Sequence, residues 1–358
     1  MVLILAILSI FCQLISGEEY CIKRTQQDCP LETFLVKDEQ SCFYTCKKFE
    51  DGEDTPGMIS DMYDKTSCAF TYHLSPENYT IRPQCDNDGK FLARQCFGDK
   101  VVGGGRCFCH SETGERIFGW AWRKDAENMT CTCSRQMHKS NNELTLHCDE
   151  MGNYEPLQCT GGVCWCADSK SGELLQGTKL VPESMLDILP CYKLEDVGTQ
   201  YLRQCESAAK AQRDLLMAYH KHGSTNVEFN RILCDYDGSY AAVQITNGKL
   251  MCSWKDGNKL GEYTAGAAYI NQMNCYCARD QKYFADELLP FRLECAGNGN
   301  YLYKQAINVT HFCVNDNGIE TWQSKLPLSE DECRQHVYSL AENEPYYPDS
   351  NEDQYEYY

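Results

Sequence analysis

Cysteine is the residue whose chemistry this sequence most invites, with 25 of them in 358 positions. A thiol can attack a substrate, hold a metal or close a cross-link, and its spacing to other cysteines helps to separate these roles. Counting from Cys85, Cys148, Cys234 and Cys295, a glycine lies four residues on in each case: Gly89, Gly152, Gly238 and Gly299. An aromatic lies six on (Phe91, Tyr154, Tyr240, Tyr301) and a glutamine ten on (Gln95, Gln158, Gln244, Gln305). Such self-similarity marks a repeat. In the first two copies the glutamine is followed by Cys96 or Cys159, and then by a Cys-x-Cys, Cys107/Cys109 or Cys164/Cys166. The last two copies have Ile245 and Ala306 after the glutamine and keep only Cys252 and Cys313, with Leu250 and His311 where the first cysteine of the pair would be. Two cysteines that vanish together behave as partners in one bond, a coupling that a metal site does not predict. The chemistry read here is cross-linking, and it identifies Cys96–Cys107 and Cys159–Cys164 as disulfides.

Cross-links need an oxidising compartment. The chain opens MVLILAILSIFCQLISG, and residues 1–17 read as a secretory signal peptide, although no Lys or Arg precedes the apolar core. The run is shorter than the roughly 20 apolar residues a membrane-spanning helix requires, so no membrane insertion is expected. Removal of the leader takes Cys12 with it and leaves an even number of cysteines. Asn78, Asn128 and Asn308 each begin an Asn-x-Thr sequon, an acceptor for N-glycosylation on the same secretory, extracellular route. A net charge of −19 argues against nucleic acid and anionic membranes as partners, since both reward Lys and Arg, and it permits a basic protein partner.

The elements that must position these cysteines are small. Cys131/Cys133 and Cys275/Cys277 sit too close in the chain to bond each other with ease, and each reads as a seam where one module ends and the next begins. The modules are then residues 68–131, 133–191, 205–275 and 277–333, preceded by a cysteine-rich segment over 18–67 and followed by an acidic, Tyr-rich tail over 334–358. Seamless joints within two pairs and a 13-residue joint between Cys191 and Cys205 suggest that a two-module unit was duplicated. Modules of this size bury too little apolar surface to be secure unaided, and each native disulfide contributes about 2–5 kcal/mol. Regular structure should be sparse. The clearest helix is YLRQCESAAKAQRDLLMAYHKHG, in which Leu202, Cys205, Ala209, Leu215, Leu216 and Tyr219 fall near one face and Gly223 offers a stop.

The assembled signature, PQCDNDGKFLARQC in the first repeat and CDEMGNYEPLQC…CWCAD in the second, resembles the thyroglobulin type-1 repeat. The third and fourth repeats keep degenerate forms, CDYDGSYAAVQ…CSWKDG and CAGNGNYLYKQ…CVNDNG. The resemblance implies a small disulfide-rich fold of tandem modules, each a short helix plus small antiparallel strands, two complete and two degenerate. It also implies a first–second, third–fourth, fifth–sixth pairing order. In the complete repeats that order gives Cys68–Cys85, Cys96–Cys107, Cys109–Cys131, Cys133–Cys148, Cys159–Cys164 and Cys166–Cys191. In the degenerate ones it gives Cys205–Cys234, Cys252–Cys275, Cys277–Cys295 and Cys313–Cys333. Cys21, Cys29, Cys42 and Cys46 lie before the repeats and allow three pairings. Some members of the family, the thyropins, inhibit papain-like cysteine proteases by wedging disulfide-held loops into the cleft. Others inhibit aspartic proteases, bind growth factors or act as spacers. The inhibitory contacts lie in variable loops, so none can be carried over residue by residue. The candidate loops run between Gly89 and Cys107, between Gly152 and Cys164, and around each Cys-x-Cys. The second, with only TGGV between its cysteines, is the more compact and the favoured one.

Other chemistries find little in the sequence. It holds no G-x-S-x-G, no H-E-x-x-H and no phosphate-cradling glycine loop, so neither an enzyme nor a cofactor is expected. His220 and His222 read as a solvated helix end rather than as metal ligands. A calcium loop on DNDG or DYDG would put Gln84 or Leu233 at its first ligand position and Gln95 or Gln244 at its last, where a bidentate glutamate is needed, so turn chemistry explains the acids better. The tail ENEPYYPDSNEDQYEYY reads as a solvated segment; a sharper reading has Tyr346, Tyr347, Tyr355 or Tyr357 sulfated and docked on a basic patch. Three functions follow: a thyropin-like inhibitor of a papain-family protease, a non-inhibitory extracellular binder of a growth factor or basic protein, or a purely structural spacer.

Overall fold

A computed structural model describes residues 33–37, 44–48, 67–74, 83–86, 88–98, 105–140, 144–198, 200–227, 229–289, 292–307, 310–324 and 326–341. The leader, Asn78, Asn308, the four tail tyrosines, and Cys21, Cys29 and Cys42 lie outside them, as does part of the glycine-rich loop before Cys107. The chain divides into two compact units, residues 1–74 with 85–90, and residues 75–84 with 91–358. The first unit contains an antiparallel hairpin of β1 (Thr33–Lys37) and β2 (Tyr44–Lys48), the latter carrying Cys46, and a helix, α1 (Cys68–Leu74). The cysteine that opens this helix is bonded to Cys85, and the Ala69 N–H donates to the Gly89 carbonyl at 3.1 Å.

The second unit contains four small antiparallel sheets of three strands each. The first is β3 (Arg94–Phe97), β4 (Arg106–His110) and β5 (Arg116–Trp122). After α2 (Thr132–Lys139) come β6 (Leu157–Thr160), β7 (Val163–Cys166) and β8 (Val181–Pro182). Two helices follow, α3 (Leu194–Val197) and α4 (Gln204–Lys221), then β9 (Val243–Thr246), β10 (Lys249–Ser253) and β11 (Lys259–Gly266). The last module has α5 (Tyr276–Asp286), β12 (Lys304–Ile307), β13 (Thr310–Val314), β14 (Glu320–Ser324) and α6 (Glu330–Ala341). This is the expected fold class, tandem disulfide-rich modules with short helices and small sheets.

The three repeated non-cysteine positions each have a mechanical reason. The glycine closes a tight turn in the left-handed region, with φ between +74° and +80° in all four copies. Its N–H donates to the carbonyl three residues back, as Gly152 does to Asp149 at 2.9 Å. A Cβ on Gly152 would also stand 2.6 Å from Cys109 Sγ, and one on Gly299 would stand 2.3 Å from Cys252 Sγ. The aromatic packs against a second glycine further along: Phe91 on Gly114, Tyr154 on Gly172, Tyr240 on Gly257 and Tyr301 on Gly318, where an added Cβ would lie 2.4–3.0 Å from the ring.

The glutamine is a clamp. Gln158 is fully buried; its Nε2 donates to the His147 carbonyl at 2.7 Å and the Glu155 carbonyl at 2.8 Å, while its Oε1 accepts from the His147 N–H at 2.9 Å. Gln95, Gln244 and Gln305 make the same three bonds to Gln84 and Leu92, Leu233 and Ala241, and Glu294 and Leu302. A side-chain amide matches the donor and acceptor that each strand start exposes, which an apolar residue could not do.

The lost cysteine pairs leave their geometry behind. Cys96 faces Cys107, and Cys159 faces Cys164, directly across neighbouring strands, each with Cα atoms 4.0 Å apart. In the third repeat the same register opposes Ile245 to Leu250, and Leu250 is completely buried in a cluster with Val243, Leu260 and Met273. Ala306 opposes His311 in the fourth.

The helix expected over YLRQCESAAKAQRDLLMAYHKHG forms as α4, and Gly223 follows its end with φ +82°. Its apolar stripe is only partly covered. Cys205 alone is fully buried, and Leu215, Met217 and Tyr219 are exposed. The helix is 18 residues long, and its last two turns are exposed apart from a half-buried Leu216.

Candidate functional site

The structure joins Cys68 to Cys85, Cys96 to Cys107, Cys109 to Cys131, Cys133 to Cys148, Cys159 to Cys164 and Cys166 to Cys191. It joins Cys205 to Cys234, Cys252 to Cys275, Cys277 to Cys295 and Cys313 to Cys333. None of these twenty sulfurs is left as a nucleophile or ligand. Among the described residues no cluster of His, Cys, Asp and Glu could hold a metal ion, and His220 and His222 are exposed at the end of α4. The acidic turns are held by their own chemistry: Asp86 Oδ1 accepts from the Asp88 and Lys90 N–H groups, and Asp237 Oδ1 accepts from Ser239.

The compact loop of the second repeat is a closed hairpin. Gly161 and Gly162 join β6 to β7 with φ +59° and +78°, the two left-handed residues of a type I′ turn, whose twist matches that of the flanking strands. The Cys159–Cys164 bond closes the hairpin immediately behind this tip. Gly161, Gly162 and Val163 are exposed, and no atom would meet a Cβ added to either glycine. Val163 pairs with Pro182 on β8, and the Glu183 N–H donates to the Gly162 carbonyl at 2.9 Å. That bond ties the tip to the 3₁₀ turn Glu183–Ile188, which exposes Met185 and Ile188. The result is a narrow, rigid edge with an apolar flank.

The seams carry the edge on a stiff base. Cys131 and Cys275 adopt left-handed backbone, φ 60° and 57°, and act as the N-caps of α2 and α5. Each helix then sends an arginine back into the module before it. Arg135 Nε donates to the His110 carbonyl at 2.8 Å, and Arg279 Nε donates to the Ser253 carbonyl at 3.0 Å. Backbone bonds repeat the weld: the Trp120 N–H reaches the Glu150 carbonyl and the Thr264 N–H reaches the Gly297 carbonyl.

The 13-residue joint is no free tether. Tyr201 is buried in the core of the second repeat, stacks on His147 at 4.3 Å, and donates to Gln158. Glu206 meets His147 Nε2 at 2.7 Å and Arg203 meets Glu155 at 2.6 Å. The second pair of modules thereby folds back on the first. Arg106 of β4 makes a two-point ion pair with Asp280 of α5, at 2.8 and 2.9 Å, and its guanidinium lies 4.2 Å from the Trp120 ring centroid. Tyr301 donates to the same carboxylate at 2.5 Å. Burial alone would push the Asp280 carboxyl up; Arg106, Arg116 and the Tyr301 hydroxyl outweigh it and hold the group below its ordinary pKa. Arg116 is sandwiched between Phe108 and Tyr276 and donates to the Asn317 carbonyl at 2.7 Å. Burial, with Arg116 and Arg135 nearby, pulls His110 down to about 4.

Of the glycosylation sequons, Asn128 is exposed at the end of a short 3₁₀ turn, and its Thr130 hydroxyl donates to Asn153 at 2.6 Å. Asn78 and Asn308, and Tyr346, Tyr347, Tyr355 and Tyr357, are outside the described residues. Sequence reasoning missed the back-docking residues Tyr201, Arg106 and Asp280. A signal was present: the position held by Asp280 in α5 is Gln136 in α2, and an acid replacing an amide beside a buried tyrosine asks for a cation.

A family model for the thyroglobulin type-1 repeat matches this chain twice, over residues 65–131 and 123–186. Nidogen-2 of Mus musculus is 28% identical over 145 residues, which are 34% of this chain and 10% of that protein. U20-hexatoxin-Hi1a of Hadronyche infensa is 27% identical over 126 residues, covering 32% of this chain and 83% of the toxin. Equistatin of Actinia equina is 27% identical over 200 residues, half of this chain and 72% of the relative. The shared part is thus a small fraction of the large relative and most of the two smaller ones. Among the described residues no helix is long and apolar enough to cross a membrane.

Proposed function

Because this chain carries thyroglobulin type-1 repeats, we propose that it is a secreted, thyropin-like inhibitor of papain-family cysteine proteases, acting through modules at 68–131, 133–191, 205–275 and 277–333. The observation that carries the reading is the tip of the second repeat, Thr160–Val163, narrow enough to enter a cleft and closed behind by Cys159–Cys164. Ordering a loop on binding costs free energy, and a hairpin already fixed by a cross-link, a glycine pair and a bond to Glu183 has little left to order. The same constraints hinder a protease from bending the tip into its own cleavage geometry. The protein acts as a binder and not as a catalyst.

The test uses the full oxidised chain titrated against a cathepsin-L-type enzyme with a fluorogenic substrate. Stoichiometric loss of activity is expected, weakened at least about tenfold by Val163→Asp, which sets a charge against an apolar wall at a cost of ~1.4 kcal/mol or more. Full protease activity at micromolar chain would reject the proposal. A second reading, a non-inhibitory extracellular binder of a growth factor or basic protein, draws on the net charge of −19 and the exposed Leu215, Met217 and Tyr219 of α4. Pull-down of a partner by the full chain, lost when residues 342–358 are removed, would favour it.

A further inference from the structure

Where the second pair of modules folds back on the first, a cleft of about 330 Å³ remains between β5, the turn at Glu150, the Trp254–Lys255 strand end and α5. No residue of the Thr160–Val163 tip lines it. Its walls include Phe118, Trp120, Trp254, Tyr276 and Tyr283, all half-buried. The faces of these rings are negative, and the protein already sets its own cations on several of them. Lys282 stands 5.3 Å from the Trp254 centroid, Lys255 5.8 Å from Phe118, and Arg116 4.1 Å from Tyr276.

The cleft nevertheless keeps a surplus of negative charge, with five acids and three bases in its lining. The bases are occupied. Lys255 pairs with Asp237 at 2.9 Å, Arg279 with Asp235 at 2.6 Å, and Arg116 is enclosed between two rings. Among the acids, Asp280 is bound by Arg106 and Asp286 by Lys282 at 2.7 Å. Glu287 is exposed and makes no ion pair among the described residues, and Glu150 has only a long 3.7 Å contact with Lys255. Aromatic walls with unneutralised carboxylates at the rim suit one chemistry: a compact organic cation, its apolar body against the rings and its charge toward Glu287 and Glu150. The volume is at the lower end of small-molecule sites, which begin at about 300 Å³.

We propose that this inter-pair cleft binds a small organic cation, an amine or quaternary ammonium on an aromatic or alkyl body, independently of any protease binding. The cation could arrive as a free amine or as the side chain of a lysine in a partner, and the experiment separates these sources. The full oxidised chain is titrated by calorimetry with phenethylamine, with tetraethylammonium, with the neutral isostere phenylethanol, and with a short lysine-containing peptide. Saturable one-to-one binding of at least one cation is expected, about tenfold or more tighter than phenylethanol. Binding by the small amines assigns a free ligand; binding by the peptide alone assigns a partner's side chain. Glu287→Gln should weaken the cation at least about threefold without moving the melting temperature, since the carboxylate is exposed and unpaired. Trp254→Leu should abolish saturation. Equal affinity for phenylethanol and the cations, no saturation by any cation up to tens of millimolar, or a titration untouched by both substitutions would overturn the proposal.

Discussion

Replacing His110 with alanine, the residue at the matching place in the second repeat (Ala167), should remove a specific loss of stability in mild acid. The imidazole is 3% exposed, its Nδ1 lies 3.2 Å from the Phe108 carbonyl, and the Phe97 ring packs edge-on at 6.1 Å. Burial is the largest cause that lowers its pKa from 6.5 to about 4; the Phe108 carbonyl opposes it, and the positive charges of Arg116 and Arg135 add smaller downward pushes. A depressed folded-state pKa means that the unfolded chain takes up the proton first. The contribution is therefore intact above about pH 6.5 and is lost progressively as pH falls toward 4. At about pH 5 the unfolded chain has gained roughly 2 kcal/mol from protonating this residue, while the folded protein has gained almost nothing. Denaturant unfolding of the oxidised protein at about pH 7 and pH 5 gives the change for each form. Carboxylates titrate in both, so the difference between the two changes isolates the histidine. His110→Ala should be less stable than the parent near neutrality, because it leaves a cavity, yet lose about 2 kcal/mol less on acidification. Equal losses in the two proteins would show that His110 is not held neutral by its surroundings, and the reasoning would fail.

Gly152→Ala should cost about 2–4 kcal/mol or prevent secretion, because its Cβ would stand 2.6 Å from Cys109 Sγ at φ +76°. Gly161→Ala, left-handed but in open space, should cost only about 1–2 kcal/mol, and melting temperatures of the two would rank them. Gln158→Leu leaves a buried N–H and two carbonyls without the clamp and should cost about 2–4 kcal/mol in denaturant unfolding, more than the loss of an exposed glutamine could explain. Asp280→Asn strands a buried guanidinium and should cost about 3–5 kcal/mol, whereas Arg106→Met combined with Asp280→Leu should recover more than half of that; a double variant as weak as the single would contradict the account of the pair.

The local fold was legible because its constraints repeat. A position that must be left-handed, like Gly152, or that must satisfy one donor and two acceptors, like Gln158, admits few residue types and so shows up four times at one spacing. What each aromatic packed on was not visible, since the second glycine lies at a variable distance, from Phe91 to Gly114 but only from Tyr240 to Gly257. The fold-back of one module pair on the other was hidden for a different reason. It rests on single, unrepeated residues, Tyr201, Arg106 and Asp280, whose partners lie up to 174 positions away. The stripe on α4 gave the helix but not its covering, because periodicity reports only a face that could be buried, and Leu215 and Tyr219 of that face are exposed. The exposed hairpin tip was suggested by TGGV alone, but its tie to Glu183 and the apolar flank of Met185 and Ile188 needed the third strand.

The residue between two modules belongs to both of them, and this limits how the gene could be cut and rejoined. A break at Cys131 would separate Arg135 from the carbonyl of His110, and one at Cys191 would pull Tyr201 from the interior it fills. Neither a solitary first repeat nor a fragment ending at Cys191 is then a portable cassette. The smallest piece that recombination or an expression plasmid could carry intact from the first pair runs through the start of α4, so that laboratories trimming this protein at its cysteines would be cutting through its welds.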